Sequence, residues 1–213
     1  MPRGWLVVPA LLLVASPAAA SWPNPLEQAE FGPLTKTERG FVRDVVQNAP
    51  GPARGKIRLV APYITFAHGS PEELGGGNRI TTSIDARGSS FLISYAPETF
   101  ARRDALARHH VLHEIGHAID NGIVAGPLRR RFQRLFARHP AFNACFPQVP
   151  GSSGRCVQAA EVFAEQFAFY ASGERDVRTS YGVWPMFFAE EFGLLLRRAH
   201  PGRGTLLSDD PDP

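Results

Sequence analysis

The sequence predicts an α+β fold, with a small mixed or antiparallel sheet toward the N-terminus and a mostly helical half after it. Three observations carry this. Short β-branched or aromatic runs separated by turn residues lie between residues 56 and 95. Apolar residues recur at helical spacing after residue 99. Hydrophobic residues make up 44% of the 213, enough to fill one core.

Residues 1–20 read as a secretory signal peptide. Arg3 is the basic start, an apolar stretch runs from Trp5 to Val14, and small residues stand at Ala18 and Ala20. The stretch is shorter than the roughly 20 residues of a membrane span, which argues against an uncleaved anchor. No later apolar run reaches that length. The expectation is an exported chain, periplasmic or extracellular, with no membrane span once mature. Residues 21–205 then form a single domain and 206–213 a disordered acidic tail. The oligomeric state is left open.

The formal charge is +3, and only Lys36 and Lys56 are lysines among 23 basic residues. So modest a balance, rich in arginine, gives no reason to expect a nucleic-acid partner. Cys145 and Cys156 are the two cysteines. In an exported chain a close pair predicts a disulfide, Cys145–Cys156, over a redox or metal motif.

Residues 21–34 carry three prolines and are expected to wrap the surface. Thr35 and Glu38 form a capping-box pattern that opens a helix ending before Pro50. "KIRLV", "RITTSID" and "SSFLISY" read as strands. A helix follows through "FARRDALARHHVLHEIGHAIDN" and stops at Gly122. In "PLRRRFQRLFARH", Leu128, Phe132, Leu135 and Phe136 share one face, and Arg130, Arg131, Arg134 and Arg138 form a solvated one. "AAEVFAEQFAFYAS" is the next helix. The last begins near Pro185 and ends before Pro201, with Glu190 and Glu191 early and Arg197 and Arg198 late, as the helix dipole favours.

Chemistry concentrates in "HHVLHEIGHAID". On a helix, His113 and His117 lie one turn apart on one face, so both imidazoles reach a single ion. Glu114 sits about 100° round the axis from His113, too far to be a third ligand but within reach of a water at the ion. This is the layout of the H-E-x-x-H zinc hydrolases. One zinc ion per chain is expected, supplying a Lewis acid and an acidified water, with Glu114 as the general base. Asp120 shares the face but lies roughly 7 Å beyond the midpoint of the histidines, so it is assigned to orienting an imidazole or pinning a neighbouring helix. His109 and His110 are read as helix-surface or supporting residues.

A third protein ligand must come from elsewhere. "EVFAEQF" sets Glu161 and Glu165 in a helix otherwise full of apolar residues, and carboxylates are seldom buried unless paired or bound to metal. Two acids in that setting suggest a ligand and its partner.

Together, "HEIGHAID" and "EVFAEQF" resemble the gluzincin metallopeptidases of the anthrax lethal factor type, whose catalytic domains show H-E-x-G-H-A-x-D and then E-x-F-A-E-x-F. The likeness covers roughly residues 109–170. It implies a zincin-like metallopeptidase domain, with Glu161 as the metal ligand and Glu165 as its support. It also implies that Gly116 lets another helix approach closely. One departure stands out. That family carries a tyrosine shortly before the ligand glutamate to stabilise the oxyanion, and "PGSSGRCVQAA" has none. Tyr181, Tyr170 and His68 are the candidate replacements.

Two functions fit these residues. One is an exported zinc peptidase acting on a protein or peptide, with "SSFLISY" as the cleft edge. The other is a catalytically inactive zinc-binding module of the same fold that binds a partner.

Overall fold

A computed structural model describes residues 24–70, 74, 80–84, 90–138, 159–174, 176–179, 182–185 and 188–201. The signal peptide, Cys145, Cys156, Tyr181 and the acidic tail lie outside the described residues.

After a two-residue strand β1 (Glu30–Phe31), helix α1 spans Lys36–Gln47. The capping box is present. The Glu38 amide donates to the Thr35 hydroxyl at 3.2 Å, and the Thr35 amide donates back to the Glu38 carboxylate at 2.6 Å. Phe41, Val42, Val45 and Val46 form the buried stripe.

The expected strand "KIRLV" is instead the end of helix α2 (Gly51–Val60). Its buried positions, Ala53, Lys56, Ile57 and Val60, recur at helical spacing, while Leu59 is 38% exposed. Five residues that alternate polar and apolar were too short a window to separate the two periods. The strand lies further on, as β2 (Ile64–His68).

β3 (Ile80–Ile84) and β4 (Phe91–Tyr95) complete a sheet of order β1-β2-β4-β3. β1, β2 and β4 are mutually parallel and β3 is antiparallel to β4, so the sheet is mixed and the fully antiparallel alternative is excluded. The α1–α2 crossover is long enough to return β2 parallel to β1, whereas β3 and β4 follow each other directly. β4 lies between β2 and β3, so the edges are β1 and β3 and "SSFLISY" is not an edge strand. Ile64, Phe66, Phe91, Ile93 and Tyr95 bury one face of the sheet, with Phe66 stacked between Phe31 and Tyr95.

The expected long helix is broken in two. α3 (Pro97–Arg102) ends where Arg103 takes a left-handed conformation (φ 44), and Asp104 then caps α4 (Ala105–Ile123) by accepting from the Ala107 amide at 2.9 Å. α5 (Gly126–Phe136) buries Phe132, Leu135 and Phe136, with Leu128 half-buried. α6 spans Ala159–Ser172. A hairpin of β5 (Asp176–Thr179) and β6 (Gly182–Pro185) occupies the place where the last helix was expected to start, and α7 (Ala189–Arg197) follows. Phe132, Phe163 and Phe192 meet where α5, α6 and α7 pack, with ring centroids 5.0–5.6 Å apart. Buried Lys56 donates to the carbonyls of Arg197 and Ala199, satisfying the C-terminal end of α7. Among the described residues, no helix is long and apolar enough to cross a membrane.

Candidate metal centre

α4 and α6 run antiparallel, because His109 meets Glu165 while His117 meets Glu161. A missing side chain permits their approach. A Cβ built on Gly116 would lie 2.9 Å from the Cα of Ala164 and 3.3 Å from the Cβ of Phe167. Gly116 thus does admit a second helix, and that helix is the one carrying the acids.

On the facing stripe three side chains converge. His113 Nε2 lies 3.1 Å from His117 Nε2 and 3.3 Å from one Glu161 oxygen; the other Glu161 oxygen is 3.5 Å from His117 Nε2. These residues could hold a metal ion. The Glu161 side chain is 47% exposed, against 11% and 15% for the two histidines, so the site opens on the Glu161 side.

The electrostatics favour a cation. Hydrogen bonds from His113 and His117 hold the Glu161 carboxyl far below the ordinary carboxylate range, against the opposing effect of burial. For Glu165, burial acts upward, but bonds from His109 and His113 outweigh it and hold the group at about 2. Burial opposes charge on His113, yet Glu161, Glu165 and the nearby Glu114 raise it to about 10. Carboxylates gathered at a shared imidazole pair stabilise positive charge between them.

Glu114 is buried and close enough for its charge to act on His113, but it is not among the converging groups. Asp120 is also outside the group. It pairs with Arg129 of α5 at 3.3 Å, and the same guanidinium donates to the carbonyls of Asp120 and Val124. Of the two supporting roles expected for Asp120, pinning the neighbouring helix is the one seen. Burial raises its carboxyl to about 6, with Arg129 and His117 pulling the other way.

Two of the candidate oxyanion donors are engaged elsewhere. His68 lies 3.0 Å from the Glu38 carboxylate of α1. Tyr170 packs its ring on Phe192 at 5.7 Å and sets its hydroxyl beside Gly193 of α7. Nine residues after Glu161, it lies half a turn round α6 from Glu161.

The sequence named neither the Glu165 partner of His109 nor the Arg129 partner of Asp120. Of the two readings of His109, helix-surface or supporting, the supporting one is seen, since His109 is fully buried and bonded to Glu165. Its position four before His113, on the same stripe, was the available signal. Arg129 carried no signal that set it apart from the arginines beside it. No protein-family model, curated protein or solved structure matches this chain. The reading of the site therefore rests on its own geometry and on the two motifs.

Proposed function

We propose that the chain is an exported zinc-dependent peptidase of the gluzincin type, hydrolysing peptide bonds in a protein or peptide. The observation that carries the proposal is the spacing of the three donor groups. Ligands of a tetrahedral zinc at ~2.0–2.1 Å stand about 3.3–3.4 Å from one another. Here the two Nε2 atoms are 3.1 Å apart and each faces its own Glu161 oxygen, at 3.3 Å from His113 and 3.5 Å from His117, so the three groups lie within reach of one ion. His113, His117 and Glu161 would hold the ion, and two nitrogens with one carboxylate leave a fourth position open.

When bound, zinc supplies a Lewis acid and a water of lowered pKa. Glu114 would be the group whose carboxylate accepts a proton from the attacking water and hands it to the leaving amine. Glu165 faces Nδ1 of His113 at 3.7 Å, so Nε2, on the Glu161 side, is the nitrogen that would hold the ion. Asp120 and Arg129 anchor the C-terminal half of α4 against α5. β3, one of the two edge strands, packs against α4, and an extended peptide adding to that edge would lie along the histidine helix. Since Tyr170 and His68 are engaged elsewhere, Tyr181 keeps the candidacy for the oxyanion donor.

The test pairs metal content with turnover. Purified protein should contain about one zinc per chain, and Glu114→Gln should keep that zinc while hydrolysis of a peptide library falls by about 10²–10⁴-fold. Wild-type protein that binds no zinc sinks the reading. Zinc bound without hydrolysis by the wild type points to the inactive binding module.

A further inference from the structure

His109 lies one turn before His113 and is fully buried, with its ring edge-on to Phe169 at 4.7 Å. Its Nε2 is hydrogen-bonded to one oxygen of Glu165. The other Glu165 oxygen lies 3.7 Å from Nδ1 of His113. One buried carboxylate is thus shared between two imidazoles of the same helix. With His117 and Glu161 the series becomes a ladder across α4 and α6, in which acids alternate with histidines.

His109, His113 and Glu165 are close enough together to suggest a second metal site. The direct bond between His109 and Glu165 argues against it, since an ion would have to part the two groups. The proton in that bond can be placed. Nδ1 of His109 is buried with no hydrogen-bond partner among the described residues. A proton there would be a buried donor without an acceptor, which costs more than a bare lone pair facing apolar neighbours. The proton therefore sits on Nε2 and is donated to Glu165.

We propose that His109 is a positioning residue of the metal centre: it fastens one oxygen of Glu165, so that the other fixes His113 with Nδ1 protonated and Nε2 aimed at the ion. An unfastened carboxylate is free to turn about its last torsion, which is broad and shallow. Fastened at one oxygen by His109, it keeps the other turned toward the His113 imidazole 3.7 Å away. The inference rests on the zinc reading above and extends it to a residue that touches neither ion nor substrate.

The experiment uses the full chain, three single variants and the His109→Phe/Glu165→Ala double variant. His109→Phe keeps the ring volume without a donor, His109→Gln restores an N–H, and Glu165→Ala removes the carboxylate. In a chelator competition with Zn²⁺, His109→Phe should bind about 10–100-fold more weakly than wild type. His109→Gln should recover most of that loss. His109→Phe should lose nothing further in the Glu165→Ala background. Equal damage from Phe and Gln would mean packing alone and overturns the proposal, as does unchanged affinity in His109→Phe; both leave the zinc reading intact. A second arm does not depend on metal or on the folding of any His109 variant. Nitrogen-15 spectra of wild type should show a slowly exchanging His109 Nε2–H that disappears in Glu165→Ala. If wild type binds no zinc, the zinc reading falls and this resonance decides whether His109 fastens Glu165. Its absence in wild type overturns the proposal.

Discussion

Gly116 of α4 lies against Ala164 of α6, and a methyl group added at Gly116 would come within 2.9 Å of the Ala164 Cα. The obstacle is backbone, not the end of a flexible side chain, so the helices themselves must separate. Gly116→Ala should destabilise the fold by about 1–3 kcal/mol, the usual range for overpacking, despite the better helix propensity of alanine. Because Glu161 rides on the displaced helix, zinc affinity should fall with it. Urea titration and chelator competition check the two effects. A variant as stable as wild type would show that α6 is not held at this distance.

The proposed ligand and its support separate by substitution. Glu161 contacts both Nε2 atoms, whereas Glu165 faces Nδ1 of His113 and Nε2 of His109. Glu161→Ala should nearly abolish zinc binding at micromolar metal, as should His113→Ala and His117→Ala. Glu165→Ala should still bind, about 10–100-fold more weakly. Circular dichroism must find all four folded for the comparison to hold. If Glu165→Ala loses zinc and Glu161→Ala keeps it, the roles are reversed.

Asp120 gives a pH dependence with a definite sign. Its carboxyl is raised from 3.8 to about 6 in the fold, so between those values the folded chain binds a proton that the unfolded chain releases. The stabilisation is fully present below about pH 4 and is lost as pH rises through 6. Asp120→Asn cannot titrate. The stability of wild type relative to Asp120→Asn should therefore fall by on the order of 2–3 kcal/mol across that window. Parallel denaturant titrations at pH 4, 5, 6 and 7 measure it. A difference that is flat, or that rises with pH, contradicts the burial-dominated account.

Lys56 ties α2 to the end of α7 through the carbonyls of Arg197 and Ala199. Lys56→Met keeps the stem and removes the donor, leaving those carbonyls short of a partner. A loss of about 1–3 kcal/mol is expected, the range for a hydrogen bond from a charged group. Zinc content should not change, because neither α2 nor α7 supplies a proposed ligand. Thermal melts and elemental analysis of the same preparation test both halves.

The sequence by itself determined what is local along a helix. The Thr35–Glu38 cap, the one-turn spacing of His113 and His117, and the pair of acids on an apolar helix all follow from a 3.6-residue repeat and hydrogen bonds within one turn. Asp120 could be set apart from the ligands by helical rise alone. Only the tertiary structure decided what depends on segments distant in the chain. It turned "KIRLV" into a helix, put β4 inside the sheet and β3 at its edge, and buried His109 against Glu165. It also brought Glu161 to both Nε2 atoms, and it turned Tyr170 toward α7. The physical reason is that helical periodicity repeats within a few residues and can be read from one segment. Which strand lies at an edge, and which carboxylate meets which imidazole, depends on how two separately formed surfaces pack, as Gly116 and Ala164 set the approach of α4 and α6.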